Sequence, residues 1–159
     1  MAENKWKAFW IPAAVCVGGT LLAGGIGALL GGGYSDYGTL APPPLAPPGW
    51  LFPVVWTVLY TAMGIAAFLV WRTGDVDRAG ALKLYGAQLL VNILWPLFYF
   101  RLEWRLFSFF WILLLILLAV LTMRAFKALE EWAGTLFIPY ILWLAFAAYL
   151  NLGYYILNG

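Results

Sequence analysis

The sequence predicts an all-α integral membrane protein, a bundle of five transmembrane helices. Three observations carry that prediction. Of the 159 residues, 65% are hydrophobic and 10% are charged, whereas a soluble domain runs near ~45–50% apolar and ~25% charged. A chain this short has too little interior to hide the surplus. The charge is confined to short links: residues 8–71 hold Asp36 alone, and residues 84–100, 106–123 and 132–159 hold no formal charge. The apolar runs at 21–30 and 113–118 lack the period-two alternation of a membrane β-barrel. Helices satisfy their own backbone hydrogen bonds in lipid, so long unbroken runs suit them.

A hydrocarbon core of ~30 Å needs about 20 helical residues. The first low-charge stretch is long enough for two spans, divided by Gly31–Gly33 and by the prolines from Pro42 to Pro48. The expected helices lie near 8–30, 49–71, 80–101, 105–124 and 133–157, in a single transmembrane domain over 1–159. The third reaches span length when it begins near Gly80 and carries Lys83 at its end, where the side chain snorkels. That favours five spans over four with a re-entrant segment. The first apolar run is about twice the ~7–15 residues of a signal-peptide core, so it is expected to stay in the mature protein.

Lys5, Lys7, Arg72, Arg78, Lys83, Arg124 and Lys127 fall on one side of this arrangement, against Arg101 and Arg105 on the other. The positive-inside bias then puts the N-terminus in the cytoplasm and the C-terminus outside, as expected in a bacterial cell membrane. Trp6, Trp10, Trp50, Trp71, Trp104 and Trp132 stand near helix ends and read as an interfacial belt. Trp56, Trp95, Trp111 and Trp143 fall deeper.

Several chemistries are excluded. The chain has no histidine and one cysteine, Cys16. It therefore lacks the usual general base, the usual zinc and haem ligand and any internal disulfide. A net charge of +2 leaves no nucleic-acid footprint. No metal site is expected, and no cofactor is required. No ionisable residue stands mid-span, which argues against a proton pump or an ion-coupled carrier.

The polar residues that do enter the spans share faces. Gln88, Asn92 and Trp95 follow i, i+4, i+7 spacing on the third helix, as do Tyr140, Trp143, Ala147 and Asn151 on the fifth; Trp56 and Tyr60 are one turn apart on the second. Trp56, Asn92 and Ala147 each lie about seven to ten residues, roughly 10–15 Å, from the side bearing loop 31–48. Together these residues are expected to line a pocket opening toward that loop. Flat rings and a few amides suit a flat, mostly apolar ligand with polar edges. The proline-stiffened loop 31–48 is read as a lid, with Tyr37, Leu40 and Pro43 as its contact residues. Gly19, Ala23, Gly27 and Gly31 form a small-residue stripe that admits close helix packing. Leu97-Phe98-Tyr99-Phe100-Arg101 fits the loose cholesterol pattern, which is weak.

Three blocks, PPLAPPGWLFPVVWTVLYTAMGIA (43–66), QLLVNILWPLFYF (88–100) and WAGTLFIPYILWLAFAAYLN (132–151), resemble the tryptophan-rich sensory protein (TspO/MBR) family, bacterial relatives of the mitochondrial translocator protein or peripheral benzodiazepine receptor. The resemblance implies a five-helix bundle, commonly a homodimer, that binds porphyrins such as protoporphyrin IX, certain sterols and synthetic benzodiazepine-like ligands. It places pocket roles on Trp56, Asn92, Trp143 and Ala147. Some bacterial members are associated with light-dependent porphyrin breakdown, which makes Trp56 and Trp143 the catalytic candidates and porphyrin a substrate. The loop reads Asp36-Tyr37-Gly38-Thr39-Leu40-Ala41-Pro42-Pro43, without the tryptophan and lysine common in that family. Three functions compete: a membrane receptor or sensor for porphyrins, a light-dependent porphyrin-degrading enzyme, and a passive transporter of tetrapyrroles or sterols.

Overall fold

The computed structural model of the chain describes residues 2–32 and 38–159. Its elements are α1 (Ala2–Leu30), α2 (Leu51–Arg72), α3 (Arg78–Pro96) continued by a π-helical turn (Leu97–Arg101), α4 (Arg105–Leu129), the short α5 (Glu131–Thr135) and α6 (Ile138–Asn158). Five segments are long and apolar enough to cross a membrane: Asn4–Leu30, Leu51–Arg72, Arg78–Arg101, Arg105–Leu129 and Glu131–Asn158. All described elements are helical, as expected for an integral membrane bundle.

The segmentation follows the sequence, with three corrections. The first helix begins at Ala2 rather than near 8, so Lys5 and Lys7 stand on helical backbone. The fourth span runs on to Leu129 rather than stopping near 124. Arg124, Lys127 and their neighbours are good helix formers, and their exposed cations reach water from helical backbone. The helix stops where Glu130 turns extended, at φ −151°. The fifth span is broken at Leu136–Phe137, between α5 and α6. Pro139 has no N–H to return to Thr135, and its ring crowds that carbonyl, so continuous helix fails there. At the start of α6 the same proline costs nothing.

Pro96 acts similarly on the third span. After it the backbone widens, and Leu102 N–H bonds Leu97 O at 3.0 Å. That i→i+5 closure swings Tyr99 inward, to 5% exposure. The cholesterol-like segment Leu97–Arg101 is this π turn, and its tyrosine faces the interior rather than lipid.

Helix α1 packs on α2 and α3, and α4 packs on α3 and α6. Small residues set these distances. A Cβ on Gly64 would stand 2.6 Å from Val17 Cα, so α2 touches the α1 backbone. Gly27 and Gly31 bring α1 onto Ile93 and Pro96 of α3. The lower part of the small-residue stripe is thus an intramolecular seam, whereas Gly19 faces open space. Buried hydroxyls return to the helix: Thr20, Ser108 and Thr122 each donate to the carbonyl four residues earlier. That local bond leaves no hydroxyl hydrogen unpaired in an apolar interior.

The outer surface is apolar. The belt tryptophans Trp6, Trp10, Trp50, Trp71, Trp104 and Trp132 are 38–69% exposed. Trp56, Trp95, Trp111 and Trp143 are half-buried. Trp111 Nε1 donates to Val91 O at 2.8 Å and ties α4 to α3.

Candidate ligand-binding site

The polar faces of α2, α3 and α6 converge as a hydrogen-bonded chain in the bundle interior. Tyr60 Oη donates to Asn92 Oδ1 at 2.5 Å, and Asn92 Nδ2 donates to Tyr140 Oη at 2.7 Å. Tyr140 Oη donates in turn to Gln88 Oε1 at 2.9 Å, and Gln88 Nε2 faces Met63 Sδ at 3.7 Å. Gln88 and Tyr140 have no exposed surface, and Asn92 is 2% exposed. These three residues therefore form a closed floor. They are bonded between α3 and α6, and Tyr60 joins them from α2.

Nearer the loop side is a second layer. Trp95 Nε1 donates to Asn151 Oδ1 at 3.2 Å, and Asn151 Nδ2 donates to Arg105 O at 2.7 Å. Above this pair lies a cavity of about 20 Å³ lined by Phe52, Trp95, Tyr99, Phe100, Ala147, Leu150, Asn151 and Tyr154. A drug-sized ligand needs ~300–1,000 Å³. As it stands, this cavity is too small for such a ligand.

The two deep tryptophans flank this region from different helices. Trp56 packs on Tyr60 and edge-on to Tyr140, with ring centroids 5.5 and 6.4 Å apart. Its other side borders a shallow groove toward Gly24, Gly25 and Ala28 of α1. Trp143 meets Phe52 edge-on at 5.9 Å and Phe146 at 5.5 Å. Among the described residues the two indoles form no ring pair with each other; Trp56 meets Tyr140, and Trp143 meets Phe52. Trp143 Nε1 is buried and has no hydrogen-bond partner. A buried donor left unmade costs about 1–3 kcal/mol. Trp143 precedes the cavity-lining Ala147 by one turn and touches the cavity wall through Phe52.

A strap closes the top. Asn158 Oδ1 accepts from Ala41 N at 2.9 Å, and its Nδ2 donates to Ala41 O at 3.1 Å. Tyr149 Oη donates to Pro44 O at 2.7 Å. Pro43 lies so close to Gly153 that a Cβ there would stand 2.7 Å from the proline ring. Leu40 and Ala46 pack on Tyr99, Leu150 and Tyr154. Leu40 and Pro43 thus lie over the cavity; Tyr37 lies outside the described residues. Asn158→Ala removes both bonds to Ala41, each worth about 0.5–1.5 kcal/mol. The expected result is a several-fold faster ligand on-rate in stopped-flow fluorescence.

Phe52, Tyr99, Tyr154 and Arg105 were not singled out by the sequence. Tyr99 depends on the π turn, and Arg105 reads as an ordinary helix-end cation. Its side chain is 12% exposed, its Nε has no partner, and its Nη2 lies 3.5 Å from Glu103. Glu103 holds a left-handed backbone, φ 54°, an uncommon state for a non-glycine residue.

With this geometry in view, the comparisons with known proteins are specific. The TspO/MBR family model matches residues 13–157. The chain belongs to the TspO/MBR family. It is 36% identical over 144 residues to "Tryptophan-rich protein TspO" of Chlorobaculum tepidum, covering 87% of this chain and 90% of that protein. It is 36% identical over 150 residues to "Translocator protein" of Ovis aries, covering 89% and 87%. To "Tryptophan-rich sensory protein" of Cereibacter sphaeroides it is 38% identical over 116 residues, 72% of each chain. The TspO/MBR match spans α2, α3 and α6, the three helices that build the site.

Proposed function

We propose that the protein is a membrane receptor or sensor for porphyrins of the protoporphyrin IX type, held between α2, α3 and α6 under the strap at 38–50. The observation that carries this reading is the aromatic cavity walled by Phe52, Trp95 and Tyr99, with Trp143, whose buried N–H has no partner, packed behind Phe52. A flat ligand with an acceptor on its edge would satisfy that donor. Phe52, Trp95 and Tyr99 offer ring faces, and aromatic pairs contribute about 0.5–1.5 kcal/mol beyond their buried area. Arg105 would meet an acidic edge, with Glu103 as its displaceable counterion. Entry requires the strap to lift, because the closed cavity is far smaller than a tetrapyrrole.

Light-dependent breakdown of the bound porphyrin is the second reading, favoured by Trp56 lying in ring contact with Tyr60 and Tyr140. The chain has no histidine and no carboxylate lines the cavity, so the chemistry would come from the excited ligand and the indoles. We place the protein in a bacterial cell membrane with its N-terminus in the cytoplasm, and accessibility labelling of cysteines introduced at each terminus tests that orientation.

The deciding experiment is a titration of purified protein with protoporphyrin IX in the dark and under illumination. Saturable tryptophan quenching with a stable porphyrin spectrum supports the receptor; loss of that spectrum only in the light supports degradation. Absence of saturable binding removes both. Metal-free porphyrin is expected to bind at least as well as ferric haem, since no histidine exists to ligate iron.

A further inference from the structure

We propose that the groove between α4 and the broken fifth span binds one anionic phospholipid with a glycerol headgroup. The groove has a volume of about 300 Å³ and is lined by Val120, Met123 and Lys127 on one wall and Gly134, Thr135, Ile138, Ile141 and Leu142 on the other. It lies on the outer surface, where Ile138 and Leu142 are 46% and 66% exposed.

Its polarity is graded in the same direction on both walls. On α4, Lys127 stands at the helix end, and Met123 and Val120 lie progressively deeper. On the other wall Thr135 stands at the end, and Ile138 and Leu142 lie deeper. Seven helical residues span ~10 Å, so a polar end gives way to an aliphatic trough over about that length. Trp132, 69% exposed at the same end, sets it at headgroup depth. Two local features make the groove. Gly134 lets the short α5 lie against the Lys127 backbone, where a Cβ would stand 2.8 Å from Lys127 Cα. The break at Leu136–Phe137 then separates α5 from α6.

The chemistry selects the occupant. Among the described residues Lys127 forms no ion pair, although Glu130 and Glu131 follow it closely in sequence. Its ammonium is available to a lipid phosphate, and Arg124 adds positive charge one turn away. Thr135 Oγ1 spends its hydrogen on Glu131 O at 3.0 Å, so toward the groove it can only accept. A headgroup carrying its own hydroxyls, as phosphatidylglycerol does, supplies the donor. The acyl chain then lies along Val120, Ile141 and Leu142. A packed helix from a second copy would instead bury Lys127 against apolar side chains.

The test is native mass spectrometry of the full-length protein titrated with phosphatidylglycerol or phosphatidylcholine of identical chains. One phosphatidylglycerol is expected to be retained about fivefold better than phosphatidylcholine, the scale of one lysine near a membrane phosphate. Lys127→Gln should bring the ratio near one, whereas Lys83→Gln, an exposed cation near the start of α3, should leave it unchanged. Val120→Trp should fill the trough and lower retention of both lipids. Equal retention of the two lipids by the unmodified protein overturns the proposal. So does an equal loss of preference in the two lysine variants, or a protein that retains neither lipid.

Discussion

Asn92→Leu is expected to destabilise the protein by about 2–4 kcal/mol, because two buried hydroxyls lose a partner at once. Tyr60 would lose its Asn92 acceptor, and Tyr140 would keep its bond to Gln88 but lose the amide that donates to it. Each buried group stripped of its partner costs about 1–3 kcal/mol. The interior at this depth offers no water to replace the amide, since Asn92 is 2% exposed and Tyr140 is fully covered. Tyr60→Phe combined with Asn92→Leu should cost clearly less than the sum of the two single changes, because both remove the same Tyr60–Asn92 bond. Thermal unfolding of the four proteins in one detergent measures this. Additive losses would mean that the two groups do not share a bond. Porphyrin affinity of Asn92→Leu, measured below its unfolding temperature, separates a floor role from direct contact: a floor residue changes stability far more than affinity.

That distinction marks how far the sequence could be read. Helical spacing put Gln88, Asn92 and Trp95 on one face and Tyr140, Trp143, Ala147 and Asn151 on another, and these faces do meet. Periodicity says which way a residue points but not what it meets. An amide facing inward binds a ligand or a neighbouring helix with the same spacing, so the floor of Gln88, Asn92 and Tyr140 was not separable from the cavity wall above it. The belt and deep tryptophans were legible because each position is set by distance from a charged link. The π turn was not: Pro96 signals a break, but whether the backbone tightens, kinks or widens depends on the packing around it. Tyr99 followed that uncertainty. Phe52 was hidden for a different reason. It lies one turn before Trp56 at the start of α2, where a phenylalanine is as readily a lipid-facing residue. The Asn158 bonds to Ala41 join residues 117 positions apart, and no local pattern encodes such a pairing.

Ala147→Thr should weaken protoporphyrin IX binding by roughly 5- to 150-fold, more than either conservative tryptophan change. Ala147 is 6% exposed and lines the cavity with Phe52, Trp95 and Asn151. The free volume there is already about 20 Å³, so bulk added at this position competes directly with the ligand. Overpacking of this kind typically costs ~1–3 kcal/mol, which gives the stated range. A threonine hydroxyl need not stay unpaired, because it can donate to the Trp143 carbonyl one turn earlier; the effect is therefore steric rather than polar. Trp143→Phe acts in the opposite sense on the empty protein, since it removes a buried donor that has no partner. It should lower affinity only modestly, and selectively for ligands that carry an acceptor at that edge. If the indoles support photochemistry, Trp143→Phe and Trp56→Phe should halt porphyrin loss in the light while most dark binding survives. Dark isotherms and illuminated turnover for the three variants decide the matter. Unchanged affinity in Ala147→Thr, with normal turnover in both tryptophan variants, would place the porphyrin outside this cavity.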